Sequence, residues 1–367
     1  MSEATAKKKR SPGKTVLIVC LCIVAFIAAV LLGGRLYFRL PVRDYYAASV
    51  PAFAIPGLGE GFVPQGLALD EEAGVFLVGG YRTGSGNASP VYAVDRATGE
   101  VKAHATLAYA DGRPYTGHCG GMSVWRDKVL VAGSDKPGQG GVCVFDRDAV
   151  LAAKNGEPVR MLGCLDTPLT AEDSLGIAFV CVDGDELTVG EYYHAGAYPT
   201  PDSHKYTAPS GDYLQALAVT YRIGEGGSIT PLRAYCLPDE AQGLTVRGGK
   251  IWVSTSWAVG FSHICAYDLT EAQPFDTLSV DGTEVPLYAL DSSVRAADYR
   301  IPPMSEEIVF AGFEERPAAT ATDEGETVTA VRLVTMCESA CRKYWFGLLT
   351  GGQWCYATDL TLMTSEK

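Results

Sequence analysis

The 367-residue chain carries 43 acidic against 30 basic side chains, a formal net charge of −13, so its bulk repels nucleic acid and polyanion binding is set aside as its function. Apolar residues make up 47% of it, enough for one large folded domain. The charge is uneven: the first 44 residues hold eight basic and two acidic side chains, and the acidity beyond them suits an exposed, soluble domain while leaving cation binding open.

Thr15 to Leu32 is an eighteen-residue uncharged run rich in Val, Leu, Ile and Ala, near the minimum for a membrane-spanning helix. Lys7, Lys8, Lys9, Arg10 and Lys14 precede it and only Arg35, Arg39 and Arg43 follow, which predicts a cytoplasmic N-terminus. Gly33-Gly34-Arg35-Leu36-Tyr37 is a poor signal-peptidase site, and Cys20 follows Ile18-Val19 inside the run, which rules against lipidation. The expected organisation is a basic cytoplasmic tail (1–14), a single-pass signal anchor (15–34) as the membrane partner, a linker (35–46) and an extracellular domain (47–367).

Beyond the anchor a strand-rich unit recurs, each time opening on a polar residue, a small residue and an apolar run: Gln65-Gly66-Leu67, His118-Cys119-Gly120-Gly121-Met122, Ser174-Leu175-Gly176-Ile177, Gln242-Gly243-Leu244 and, more loosely, Glu306-Glu307-Ile308. Repeats of this length predict an all-β fold, a β-propeller of five blades, with six as the alternative. In the first unit Gln65 to Asp70, Val75 to Tyr81, Pro90 to Asp95 and Glu100 to Leu107 read as strands separated by turns. Asp95, Asp146 and Asp268 end equivalent strands and are predicted turn-formers.

The second unit runs from His118 to about Pro168, with a short helix predicted over Ala149 to Lys154. The third begins near Ser174 and carries the longest insertion, Tyr193 to Asp212, which contains His194, Tyr198 and His204; a loop of this length on a rigid scaffold is a functional element or lid. The fourth spans Gln242 to about Asp291. The fifth lacks a strand after Val328 to Met336 and Cys355 to Met363, and Ala47 to Pro56 is expected to fill the seam, burying Val50, Phe53 and Ile55.

Residues at the starts of the inner strands converge on one mouth of such a ring. That places Gln65, His118, Ser174, Gln242 and Glu306 in a polar rosette beside Asp173 and Ser305. A second set, Tyr81, Asp135, Glu191 with Tyr192, Ser256 and Glu338, ends the next strands. The bland alternative is that these groups serve a water-filled channel. A Glu at the end of an apolar strand, as at Glu191 and Glu338, is costly unless partnered, and Arg342 and Lys343 are the expected partners of Glu338. His118 has the chemistry of a general base, and Glu191, Glu306 and Glu338 that of acids or calcium ligands. No GxSxG, HExxH, phosphate-loop or EF-hand pattern is present.

Eleven cysteines divide into Cys20 and Cys22 in the apolar run and nine beyond it, without CxxC pairing and several inside apolar strands. Most are predicted to be free, buried thiols. Cys337 and Cys341 form the closest pair of the last unit.

Val63-Pro-Gln-Gly, the Gly117-His-Cys-Gly-Gly turn, Gly190-Glu-Tyr-Tyr leading to Tyr198-Pro-Thr-Pro-Asp-Ser-His204, and Pro303-Met-Ser-Glu306 followed by Glu338-Ser and Tyr344 resemble secreted and membrane-anchored bacterial β-propeller proteins of undetermined function, related broadly to NHL-like and quinoprotein-like propellers. The resemblance covers about residues 60 to 363 and implies a fold without an activity; the tryptophan-docking pattern of quinoprotein blades is missing. The expected function is a membrane-anchored extracellular propeller binding a small or polymeric ligand in its funnel, with Gln65, His118, Ser174, Glu191, Tyr192, His204, Gln242, Glu306, Glu338 and Tyr344 as ligand candidates. The alternatives are a hydrolase or lyase in the same funnel, with a divalent cation such as calcium, and a platform for other envelope proteins.

Overall fold

The computed structural model describes residues 12–133, 141–170, 172–317 and 327–366; Asp135, one of the expected strand-end residues, lies outside them. Helix α1 (Pro12–Arg39) holds the uncharged run and is long and apolar enough to cross a membrane. Its residues up to Gly33 are exposed and stand clear of the rest. The expected linker is instead helical. After α1 come a 3-10 turn over Leu40–Val42 and α2 (Arg43–Ala47), with Val42 and Tyr45 buried. The Tyr45 hydroxyl reaches Thr335 Oγ1 at 2.5 Å, so this stretch belongs to the body.

Among the described residues the body is a succession of four-stranded antiparallel meanders, the last completed by β1 (Ser49–Ala54). The first is β2 (Phe62–Asp70), β3 (Val75–Arg82), β4 (Pro90–Asp95) and β5 (Val101–Ala108). The second is β6 (Met122–Trp125), β7 (Lys128–Ala132), β8 (Val142–Asp146) and, after α3 (Arg147–Ala152), β9 (Glu157–Leu165). The third is β10 (Ile177–Asp183) and β11 (Glu186–Glu191), then an insertion holding the small hairpin β12 (Tyr206–Thr207) and β13 (Tyr213–Leu214), then β14 (Ala216–Ile223) and β15 (Ile229–Leu237). The fourth is β16 (Ala241–Arg247), β17 (Lys250–Thr255) and β18 (Ser262–Asp268). A hairpin, β19 (Asp276–Val280) and β20 (Thr283–Ala289), precedes its outer strand β21 (Arg295–Ile301). The fifth is β22 (Ser305–Pro317), β23 (Thr327–Cys337) and, after α4 (Gly347–Thr350), β24 (Trp354–Asp359), with β1 outermost.

Two parallel contacts join meanders at their outer edges. Pairing of β5 with β9 merges the first two into one eight-stranded sheet, and pairing of β15 with β20 adds the β19–β20 hairpin to the third. That hairpin replaces the expected end of the fourth unit near Asp291, because its strands bond to the third sheet's open edge and leave β21 to pair with β18. The innermost strands β2, β6, β10, β16 and β22 touch in sequence, and β22 returns to β2. The result is a closed, propeller-like ring.

The seam closes as the strand deficit of the fifth unit predicts: β1 runs antiparallel to β24 with Ser49 opposite Thr358 and Ala54 opposite Trp354. Phe53 and Ile55 are buried, whereas Val50, expected inside, is 55% exposed, because the outermost strand keeps one face in water. Phe53 packs with Phe76, Tyr92, Val334, Met336 and Cys355, a cluster shared by the fifth and first sheets. Across the first and second sheets, Arg147 on α3 grips buried Asp70 with two guanidinium nitrogens at 2.5 and 2.9 Å.

The turn aspartates act as predicted. Asp95 accepts from the backbone of Ala97 and Thr98, Asp268 from Thr270, and Asp146 caps α3 through Ala149 N–H. That cap starts the helix two residues before the expected Ala149. The small residue of the repeat has a steric cause: a Cβ on Gly121 would lie 2.5 Å from Val180 N, and one on Gly243 2.6 Å from Glu307 Cα. Only glycine lets neighbouring inner strands approach this closely. Among the described residues all cysteines are free, including Cys337 and Cys341.

Candidate functional site

In the first, fourth and fifth units the polar residue that opens the repeat is aimed by an irregularity in the inner strand. In β2 the register with β3 slips between Pro64 and Gly66, leaving Gln65 unpaired; in β16 it slips between Ala241 and Gly243, leaving Gln242. In β22 it slips between Ser305 and Ile308 and frees Glu306 and Glu307. A bulge of this kind turns a side chain out of the alternating pattern, as bulges beside binding sites do. In β10 the slip frees Ala178, so this sector offers no polar side chain. Non-glycine residues with positive φ, Cys119 (56°), Glu240 (65°) and Met304 (63°), stand just before three of the inner strands, a strained arrangement that concentrates at functional sites.

Gln65, Gln242 and Glu306 open onto a cavity of about 940 Å³ at the end of the ring where the inner strands begin. Gln65, His118, Tyr192, Gln242, Glu306, Glu338 and Tyr344 all line it. The second-strand and loop segments add Tyr81, Lys343, Tyr198, Trp257 and Phe346. At its floor Gln65 Nε2 donates to Glu338 Oε2 at 2.9 Å, and the Tyr344 hydroxyl donates to Glu338 Oε1 at 2.8 Å. Lys343, expected to pair with Glu338, instead donates to the Tyr81 hydroxyl at 2.6 Å. The Tyr81 ring in turn stacks on His118, centroids 4.6 Å apart.

The two cavity carboxyls are perturbed together. Burial, and then the charge of Glu338, push Glu306 well above the ordinary carboxyl range against the pull of Lys343 and Gln65. Burial raises Glu338 too, opposed by Tyr344, Lys343 and Gln65. Two carboxyls in one low-dielectric site do not both ionise easily, and the pair keeps a proton to higher pH than either would alone. His118 is open to solvent in the cavity, and the surrounding protein, and next the nearby Lys343, lower its pKa, which favours the neutral imidazole. Among the described residues no group of three or more His, Cys, Asp or Glu side chains is placed to hold a metal ion.

Other sequence candidates sit elsewhere. Ser174 is exposed and bridges Pro168. Glu191 and His204 form a separate buried group: His204 Nδ1 lies 2.9 Å from Glu191 Oε2 and its Nε2 lies 3.1 Å from Asp173 Oδ2. Glu191 also accepts from Gly176 N–H and Leu217 N–H, so it fastens the long insertion to the third sheet. Ser305 and Ser256 are likewise structural, joined through Ser262. The insertion still reaches the cavity, through Tyr198 against Tyr192 and Trp257. His194, held at 2.7 Å from Glu240 Oε1, stacks on Trp257 at 3.6 Å and fixes that ring.

Sequence reasoning passed over Glu307, Trp257 and Phe346. Glu307 is buried on the ring axis, and its Oε2 accepts from Leu67 N–H and Met122 N–H, both at 2.7 Å, tying three inner strands together. Burial holds it well above the usual carboxyl range against these backbone donors. It faces a smaller cavity of about 290 Å³ at the opposite end. The doubled Glu306-Glu307 was the only signal for it; Trp257 and Phe346 lie on loops without periodicity.

No family model matches the chain, and no curated protein matches it in sequence. Among solved structures it is similar to Myxococcus xanthus glutaminyl cyclase, at 9% identity and a TM-score of 0.38 over 85% of this chain and 92% of that one.

Proposed function

We propose that the chain is a five-bladed β-propeller, anchored in the cell membrane by α1 with its body on the outer face, that binds a neutral, hydroxyl-rich ligand of saccharide type in the larger cavity. The observation that carries this reading is the convergence of Gln65, Gln242, Glu306 and Glu338 in one cavity with the aromatic side chains of Tyr81, Tyr344 and Trp257. Aromatic faces cover apolar C–H surface, while amide and carboxyl groups exchange paired hydrogen bonds with hydroxyls. The carboxyls disfavour an anion, and their retained proton together with Lys343 weakens the case for a cation. Titration calorimetry of the full-length protein with soluble mono- to tetrasaccharides tests it. Binding that Glu338→Gln and Trp257→Ala each weaken about tenfold, the worth of one good hydrogen bond or stacked ring, supports the reading; no binding across the panel refutes it.

A second reading is favoured by the carboxyl pair alone: one protonated and one ionised carboxyl, beside a neutral His118, is the protonation pattern of acid–base hydrolysis or elimination. Turnover of nitrophenyl glycosides, abolished by Glu306→Gln with ligand binding retained, would select the enzyme over the receptor. A platform for envelope proteins predicts that neither substitution alters the protein's behaviour.

A further inference from the structure

We propose that the ligand is presented by the bilayer: the cavity mouth rests on the membrane surface and receives the glycosyl headgroup of a lipid whose tail stays in the membrane beside α1. This rests on reading α1 as an anchor and the cavity as a saccharide site. The two loops that shape the mouth are the ones on which α1 docks. The loop between β23 and β24 supplies Lys343, Tyr344 and Phe346 to the cavity, and its helix α4 packs on α1 so closely that a side chain at Gly34 would lie 3.1 Å from Leu349. The loop between β17 and β18 supplies Trp257 and Val259 to the cavity. It also sets Phe261 against Tyr37 and Phe38 of α1, centroids 6.2 Å away in each case.

Distance along the helix sets the level of the mouth. Gly34 lies two residues beyond Leu32, the end of the uncharged run, which is about 3 Å at the α-helical rise. The loops gripping α1 there are therefore at the headgroup layer once the run spans the hydrocarbon. Their outward surface matches that layer. Trp345 is 80% and Leu348 69% exposed, and Val259 and Trp257 are also among the large apolar side chains left in contact with solvent. Tryptophan favours the membrane interface, and a cluster of exposed apolar residues marks an interaction surface. Although the chain as a whole is acidic, the exposed charges here are mostly basic, Arg35, Arg39, Arg43, Arg342 and Lys343 against the single Asp44 that pairs with Arg43, the sign that anionic headgroups attract. A mouth seated in this way is closed to bulk solvent by the membrane and open to lipid.

The test uses the full-length protein in phosphatidylcholine vesicles with brominated acyl chains, which quench nearby tryptophans; α1 itself contains none. The expected result is quenching that falls by at least half in Trp345→Phe and is unchanged in Trp125→Phe, at the opposite end of the ring. Equal quenching in wild type and Trp345→Phe overturns the proposal. A second arm follows acylation of Lys343 by an amine-reactive ester, read by peptide mass. Glucosyl-diacylglycerol in the vesicles should protect Lys343 at least fivefold better than methyl glucoside at the same bulk concentration. Equal protection by both overturns the membrane source while leaving the saccharide reading intact; protection by neither overturns the saccharide reading and the proposal with it. Loss of the protein from the vesicles on carbonate washing overturns the anchor on which both arms depend.

Discussion

Closure of the ring depends on a strand that arrives from the far end of the chain, and Phe53 is its main apolar anchor. The side chain is 1% exposed, its ring lies 5.1 Å from that of Phe76, and it shares a cluster with Val334, Met336 and Cys355 of the fifth sheet. Phe53→Ala removes a whole buried ring between two sheets, at a cost of about 3–5 kcal/mol, a large part of the 5–15 kcal/mol typical of a folded domain. At roughly 2 °C per kcal/mol for a body of this size, the midpoint of thermal unfolding should fall by about 6–10 °C. Val50→Ala on the same strand is the control: its side chain is half exposed, and its effect should stay within about 0.5 kcal/mol. Circular dichroism melts of the full-length protein in detergent read both. Equal midpoints for the two variants would refute the claim that β1 closes the ring by apolar packing. Deleting residues 45–56, which also removes Tyr45 and bares the edge of β24, should abolish cooperative unfolding and promote aggregation.

The buried His204 cluster makes stability depend on pH. Burial works against the imidazolium, but the hydrogen bonds and charges of Glu191 and then Asp173 outweigh it and hold the His204 pKa above its ordinary value. A group raised in the folded state contributes fully below its unfolded value near 6.5 and loses that contribution as pH climbs through the folded value; wild type should thus lose more melting temperature than His204→Gln between pH 6 and 9, and parallel curves would count against the clamp. Glu307→Ala strands the backbone N–H groups of Leu67 and Met122 at about 1–3 kcal/mol each, whereas Glu307→Gln keeps an acceptor; chemical denaturation should rank Ala well below Gln, and equal curves would remove the axial role. Cys143 and Cys164 are cross-strand partners with sulfurs 3.4 Å apart, within the backbone geometry a disulfide accepts. Mild oxidation should link this pair, and peptide mapping that finds Cys143 or Cys164 joined to a different cysteine would contradict the strand register.

The features legible in the chain were those fixed by local pattern. The uncharged run Thr15 to Leu32 declared its helix, since length and hydropathy need no partner. The repeat from Gln65 to Glu306 declared an all-β ring, and the missing strand of the fifth unit pointed to Ala47 to Pro56, because an unpaired sheet edge demands a neighbour. Equivalent positions in a repeat become equivalent positions around an axis, which is why Gln65, His118, Gln242 and Glu306 were foreseeable as cavity residues. Tertiary structure decided what symmetry leaves open. The bulge in β10 frees Ala178 where the pattern suggested a polar residue, so Ser174 stays outside. Period two cannot tell which of Glu306 and Glu307 faces the cavity once two residues are freed together. Glu191 met His204, and Lys343 met Tyr81, through loops of irregular length whose ends are brought together only by closing the ring. The docking of α1 on the mouth is likewise invisible in sequence, because Gly34 and Leu349 lie at opposite ends of the chain, and only the completed fold makes them neighbours.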